Sequence, residues 1–378
     1  MRVLVCGAGY AGVTLARRLE SQLPDDADLV VIDEHPYHLV QHELHRVIRR
    51  HSLAEDIRVP LGELFDRAEV REGRVEGIDR DRRIVTVDGE GLSYDYAAIC
   101  LGAETATYGI PGVAEYGLPL KRLSHAERIR EAVLAVPQGG TVLVGGAGLS
   151  GVQVAGELAA LSREEAMDLD VLLAEREAEV APNFPENFRR AVREELEACG
   201  VTVRTDRTVT RATGTGVEFD GKEPIEYDAF VWTGGIRGPD ALGGERPLVR
   251  ADLRLDDRTF VVGDAARVVD ADGQAVPASA QAAIREARVV ADAIVSMAGS
   301  DREGVFAPRT ERYTFDSLGW LVSVGDGAVA QVGPTVLTGG AAHALKASVG
   351  VGYLSSIGAL RNAAELVDEE FGITVRET

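Results

Sequence analysis

One arrangement occurs twice in this chain and limits what it can fold into. The apolar run Arg2–Cys6 leads into Gly7-Ala8-Gly9-Tyr10-Ala11-Gly12, a helical pattern through Leu15, Ala16 and Leu19, and a second apolar run, Leu29–Ile32, that ends in Asp33-Glu34. Thr141–Val144 leads into Gly146-Ala147-Gly148-Leu149-Ser150-Gly151, a helix from Val152 through Leu158, and the run Asp170–Ala174 that ends in Glu175. Short continuous apolar runs are strands buried on both faces, which belong to parallel sheets covered by helices. A glycine turn between such a strand and a helix, with an acid about 20 residues further on, is the dinucleotide fingerprint in its proper context. The two copies lie too far apart for a short-period solenoid, so a duplicated domain is expected.

The physical reason for the pattern is specific. Glycines let backbone N–H groups approach a pyrophosphate at a helix N-terminus, where the helix dipole favours negative charge. The acid closing the second strand accepts hydrogen bonds from ribose hydroxyls. Two such folds imply two dinucleotides. In the first, Gly7, Gly9, Tyr10, Ala11, Gly12, Asp33 and Glu34 are candidates; in the second, Gly146, Gly148, Leu149, Ser150, Gly151 and Glu175.

The rest of the chain fits around these units. Val70–Val87 alternates in strand fashion, Tyr94–Gly102 reads as a strand and turn, and Ala229–Trp232 ends at Thr233-Gly234-Gly235. Thr259–Val262 closes on Gly263-Asp264, and a helix is predicted over Ser279–Ala298. The fold class expected is α/β, with two Rossmann-like dinucleotide-binding domains and a C-terminal α+β domain. The boundaries read 1–108 with 236–298 for the first domain, 109–235 for the second and 299–378 for the last.

Composition removes whole classes of function. With 61 acidic against 40 basic residues the formal charge is −21, which repels phosphate backbones and anionic lipid. No nucleic-acid partner is expected. Lys121, Lys222 and Lys346 are the only lysines. Abundant acid with so little lysine resembles halophilic proteins, or an acidic protein from a GC-rich genome. At about 1 M salt the Debye length falls to ~3 Å and screens such self-repulsion. Cys6, Cys100 and Cys199 are isolated, with neither a CxxC nor metal-ligand spacing. The first strand starts at residue 2, leaving no room for a secretory signal, and the uncharged stretch Gly327–Leu345 is broken by Gly333, Pro334 and Gly339-Gly340. A cytoplasmic protein is expected, at most peripheral to the inner face of the cell membrane. Five of the 7 histidines fall within 35–51, and helical placement would put His38, His42 and His45 on one face. A metal site there lacks a cysteine or an evident fourth ligand, so no metal is expected.

Taken together, these motifs resemble the two-dinucleotide flavoproteins that include glutathione-reductase-like enzymes. That resemblance implies FAD on the first fold and a nicotinamide dinucleotide on the second. It places Gly263-Asp264 at the ribityl-phosphate region of the flavin, Leu101-Gly102-Ala103 at the family's Ala-Thr-Gly turn, and Val75 at the adenine. A narrower resemblance, to the type II NADH dehydrogenases, rests on Ile32–Gln41, Gly151–Leu158, Val231–Gly235, Pro277–Gln281 and the block from Tyr313 to Leu360. It implies NADH as donor and a quinone or similar small molecule as acceptor. It also adds Ala280 to the FAD set, Gly235 to the NADH set, and Gln281 and Lys346 to an acceptor pocket. The chain departs from this pattern at Gln153, where Glu is usual, at Arg285, where the quinone motif carries Gln, and at His42-Glu43, where Pro-Leu is usual.

Glu175 predicts NADH over NADPH, because a carboxylate repels a 2′-phosphate, although Arg176 stands beside it. Sulfide:quinone oxidoreductase needs a pair of redox cysteines at the flavin, and these cysteines look unpaired. A ferredoxin or rubredoxin reductase stays open, as does a redox-inactive nucleotide sensor. A homodimer is also left open.

Overall fold

Val3, Leu4, Val5 and Cys6 are completely buried, as an apolar run in the middle of a parallel sheet requires. The computed structural model of the protein describes residues 1–303 and 310–371. The first sheet runs in the order Thr259–Val261, Tyr96–Ile99, Arg2–Cys6, Asp28–Asp33, Glu69–Glu72, with all neighbours parallel. Cys6 pairs with Ile32, so the chain leaves the sheet into the glycine turn at its carboxyl edge, and Gly7 N–H closes on Ile32 O at 2.7 Å. The helix Tyr10–Gln22 follows and packs on the late helix Ala280–Glu303.

The second sheet repeats the plan in the order Thr202–Arg204, Asp170–Ala174, Thr141–Gly145, Ala229–Trp232, again parallel. Gly145 pairs with Ala174, Gly146 N–H meets Ala174 O at 2.7 Å, and the helix Leu149–Glu164 follows. Each sheet is interrupted by a three-stranded antiparallel flap, between Val75 and Ser93 ahead of Tyr96–Ile99 and between Val209 and Glu226 ahead of Ala229–Trp232. The two chain segments that cross between the sheets pair with each other, Glu104–Thr105 antiparallel to Ile236–Arg237.

The C-terminal part is an antiparallel sheet of Trp320–Val324, Gly327–Val332 and Thr335–Thr338, followed by the helices Gly339–Ser356 and Leu360–Phe371. It docks on Leu149–Glu164 through a glycine contact. A Cβ on Gly156 would stand 2.4 Å from the backbone nitrogen of Gly325, so only hydrogen lets the hairpin approach. The other end of the helix Gly339–Ser356 lays Tyr353 on Tyr10, with ring centroids 4.8 Å apart. Among the described residues no helix is long and apolar enough to cross a membrane.

Candidate functional site

Two glycines of each turn do different work. A Cβ on Gly12 would lie 1.7 Å from Gly7 O, and one on Gly151 would lie 1.8 Å from Gly146 O. These are packing positions that draw each helix tight against its strand. Gly9 and Gly148 differ: a Cβ there would meet nothing within 4 Å. Both glycines are helix N-caps with no side chain capping them, in extended conformations that any residue adopts. Empty space in front of an uncapped helix N-terminus is what a pyrophosphate needs, so both turns fit a dinucleotide.

Each turn is braced by the acid that ends its second strand. Asp33 accepts Ala8 N–H at 2.6 Å and His35 N–H at 2.9 Å. Glu175 accepts Ala147 N–H at 2.6 Å and Glu177 N–H at 3.0 Å. Burial pushes the Asp33 carboxyl up, against the lowering effect of those two amides. Glu175 is buried, while the neighbouring Arg176 is exposed and turned to Glu177 at 3.1 Å.

Along the first turn run two adjoining clefts of about 210 and 300 Å³. Gly9, Tyr10, Gln41, Cys100, Gly102 and Lys121 line both. Gly7, Asp33, Glu34, Val75 and Leu101 line the first, and Ala11, Gly263, Asp264, Ala280 and Ser150 line the second. The FAD candidates, Gly12 apart, are thus brought to one continuous groove, and Ser150 reaches it from the second fold. Gly146, Gly148, Leu149, Gly151, Glu175 and Gly235 gather instead at the carboxyl edge of the second sheet. Neither Gln281 nor Lys346 is among the residues lining the two clefts.

Gly263 sits at φ +71°, and its N–H is held by the buried carboxyl of Glu286 at 2.7 Å. Burial pushes that carboxyl up to about 7. Lys121 Nζ approaches Asp264 Oδ2 at 3.9 Å from across the cleft. Sequence reasoning missed Lys121, Glu286 and Arg122, which holds Glu34 and Glu104 together at 3.1 and 2.6 Å. The one available signal was rarity: two of the three lysines, Lys121 and Lys346, lie at or directly behind this groove.

His38, His42 and His45 do not share one helical face. His38 is on the short strand Tyr37–Leu39, whereas His42 and His45 are on the 3₁₀ segment Gln41–Ile48, so one helical period does not connect all three. Each ring has its own partner. His38 Nδ1 bonds Ala8 O at 2.8 Å, and its Nε2 accepts from the Tyr353 hydroxyl at 3.0 Å. His45 Nε2 meets Ser323 Oγ at 2.7 Å, and His42 Nδ1 bonds the Tyr10 hydroxyl. Burial pulls His38 down to about 4 and His45 to about 3, so both are neutral rings.

Behind the second cleft lies a buried ionic cluster. Glu43, 1% exposed, meets Arg46 at 2.8 Å, Lys346 Nζ at 3.5 Å and His42 Nε2 at 3.5 Å. Burial alone would raise this carboxyl, yet Lys346, His42 and Arg46 together hold it at about 2. Nearby Glu157 has Arg49 at 3.9 Å, yet burial outweighs the surrounding cations and pushes it up to about 7. The three cysteines are free and form no pair at the groove. Cys6 is buried within the first sheet, Cys100 is buried beneath the glycine turn, and Cys199 is at the end of the helix Glu186–Ala198 in the second fold. Burial raises all three thiols, Cys6 to about 12.

Residues 1–287 match the Pyridine nucleotide-disulphide oxidoreductase family. The chain is 31% identical over 277 residues to the NADH dehydrogenase-like protein YutJ of Bacillus subtilis, covering 70% of this chain and 76% of that protein. It is 26% identical over 362 residues to the Type II NADH:quinone oxidoreductase of Staphylococcus haemolyticus, covering 86% and 89%. In fold it matches NDH2 from Plasmodium falciparum, solved in complex with NADH, with a TM-score of 0.82 over 98% of both chains at 14% identity.

Proposed function

The chain belongs to the pyridine nucleotide-disulphide oxidoreductase family, and from that premise we propose that it oxidises NADH through FAD and passes the electrons to a quinone. The observation that carries this reading is the pair of open, uncapped helix N-termini at Gly9 and Gly148, one beside the two clefts and one on the second sheet. FAD, when bound, supplies a two-electron carrier that hydride reduces. The protein's part is to hold and align. Gly7, Gly9, Tyr10 and Ala11 present the first turn, Asp33 and Glu34 take the ribose end, Val75 takes the adenine, and Gly263-Asp264 takes the ribityl side. Gly146, Gly148, Leu149, Ser150 and Gly151 present the second turn to NADH, with Glu175 against a 2′-phosphate and Gly235 at its far edge. In this reading 1–108 with 236–298 carries FAD, 109–235 carries NADH, and 299–378 covers the groove through Tyr353.

The quinone follows from the relatives named for it, of which the Staphylococcus haemolyticus protein aligns over 86% of this chain. A lipid-soluble acceptor brings with it peripheral contact with a membrane, read by vesicle co-sedimentation. The central test is optical. The purified protein is expected to be yellow, to bleach on anaerobic NADH, and to regain its colour on adding a quinone. A colourless protein that takes up no FAD, or bleached flavin that a quinone leaves bleached, defeats the reading.

A further inference from the structure

We propose that Tyr10 hands a proton to the electron acceptor and that His42, with the charge of Glu43 beside it, stores that proton. The proposal rests on the quinone reading above and deepens it. Oxidation of NADH releases two electrons and one proton, whereas reduction of a quinone to its hydroquinone takes two electrons and two protons. One proton per turnover must therefore come from water or protein at the acceptor.

Beside the groove assigned to FAD, where an acceptor must approach the flavin, the geometry supplies a proton-holding device. Tyr10 and His42 both line the larger cleft, and Tyr10 stands where the two clefts join. The Tyr10 hydroxyl bonds His42 Nδ1, and the same oxygen accepts the backbone N–H of His42 at 3.2 Å. The phenol therefore has its oxygen occupied and its hydrogen free to point at Nδ1. That leaves the neutral imidazole carrying its own hydrogen on Nε2, the nitrogen that faces Glu43 Oε1 at 3.5 Å. Among the described residues His42 Nε2 makes no hydrogen bond, so Glu43 acts on the ring through its charge alone, steadying the protonated form when it is made.

Of the groups around His42, the cations Lys346 and Arg46 keep Glu43 ionised. Arg46 and His45 lie on the same segment, Lys346 and Tyr353 come from the helix Gly339–Ser356, and His38 comes from the neighbouring strand. Burial, Lys346 and Arg46 press the imidazole toward neutrality, and Glu43 opposes them. A ring so placed releases a proton readily once it has one.

The step balances. Before the acceptor enters, a proton taken from bulk solvent (the one per turnover that NADH does not supply) adds to the Tyr10 oxygen through the cleft while the phenol's own proton moves to His42 Nδ1. When a quinone takes two electrons, the Tyr10 O–H bond breaks toward a quinone oxygen, and Nδ1 returns its proton to Tyr10. Tyr10 is the catalytic residue; His42 and Glu43 are positioning residues.

Two measurements on the FAD-loaded protein test this. In ¹⁵N-histidine NMR, His42 should show the Nε2–H tautomer, and Tyr10→Phe should shift its Nδ1 resonance. In turnover, a short-chain benzoquinone takes protons and ferricyanide does not. General acid catalysis is worth about 10²–10⁴-fold, so the quinone-to-ferricyanide rate ratio should fall on the order of 10²-fold in Tyr10→Phe. His42→Gln should lower the ratio as well, and Glu43→Asp should keep more of it than Glu43→Gln. An Nδ1–H tautomer overturns the proposal, as does a ratio left unchanged by both Tyr10→Phe and His42→Gln. A wild-type flavin that NADH does not bleach overturns the functional reading and this proposal with it. Bleaching with an unchanged ratio overturns the proposal alone.

Discussion

The carboxylate of Asp33 accepts the backbone N–H of Ala8 at 2.6 Å, pinning the first glycine turn to the end of the neighbouring strand. Glu175 and Ala147 repeat this bond at the same distance in the second fold. The acids of the duplicated motif thus shape the turns.

Removing either acid should loosen its own turn. A hydrogen bond to a charged group contributes about 1.5–3 kcal/mol, so Glu175→Ala is expected to weaken NADH binding at least ~10-fold. Asp33→Ala should lower FAD retention in the same range. Fluorescence titration with each nucleotide checks both, and equal loss of both nucleotides in each variant would speak for a global defect instead.

The glycines separate into two classes of outcome. Gly9→Val should leave the fold intact, because nothing lies within 4 Å of its Cβ, yet place methyl groups where the pyrophosphate belongs and abolish FAD uptake. Gly148→Val should do the same to NADH. Gly12→Ala should fail earlier, in folding, since its Cβ would overlap Gly7 O at 1.7 Å. Circular dichroism and FAD content distinguish these two failures.

Glu157 makes stability depend on pH in a direction opposite to a paired carboxylate. Its folded value is raised to about 7 from 4.5, so between those values the native state holds a proton that the unfolded chain has released. Stability from this group is full below about pH 4.5 and falls as pH rises to about 7, by roughly 3 kcal/mol. Glu157→Gln is expected to gain stability at pH 8 and little at pH 4. Denaturant melts of both proteins across that window read the difference.

Lys346 is 8% exposed and 3.5 Å from Glu43, so its first duty is to balance a buried charge. Breaking a buried pair costs about 3–5 kcal/mol, less here because Arg46 also holds Glu43. Lys346→Met should lower the melting temperature by several degrees. Altered acceptor kinetics with an unchanged melting temperature would place it in the acceptor pocket instead.

Much of this protein was legible in one dimension because its signals are local. Val3–Cys6 followed by three glycines and a helix can be read from adjacent residues, and the same holds at Val142–Gly151. The parallel strands, both turns and both acids follow from that pattern. The Gly263-Asp264 turn was legible too, because a buried strand ending in glycine and acid is a short motif. The separation of His38 from His42 and His45, the two that line the larger cleft, was not legible, for a local reason. Val40, at φ −75° and ψ 72°, breaks the period between His38 and His42, and its residue type carries no sign of that break.

The sequence by itself determined the duplicated sheet-and-helix plan and the two glycine turns, since hydrophobic period and glycine spacing are properties of neighbouring residues. Only the tertiary structure decided that Lys346 meets Glu43, that Tyr353 covers Tyr10, and that Gly156 admits Gly325. Such contacts join residues far apart in the chain. They are selected by how sheets and helices stack around a common core, and charge or size at one position does not name its partner.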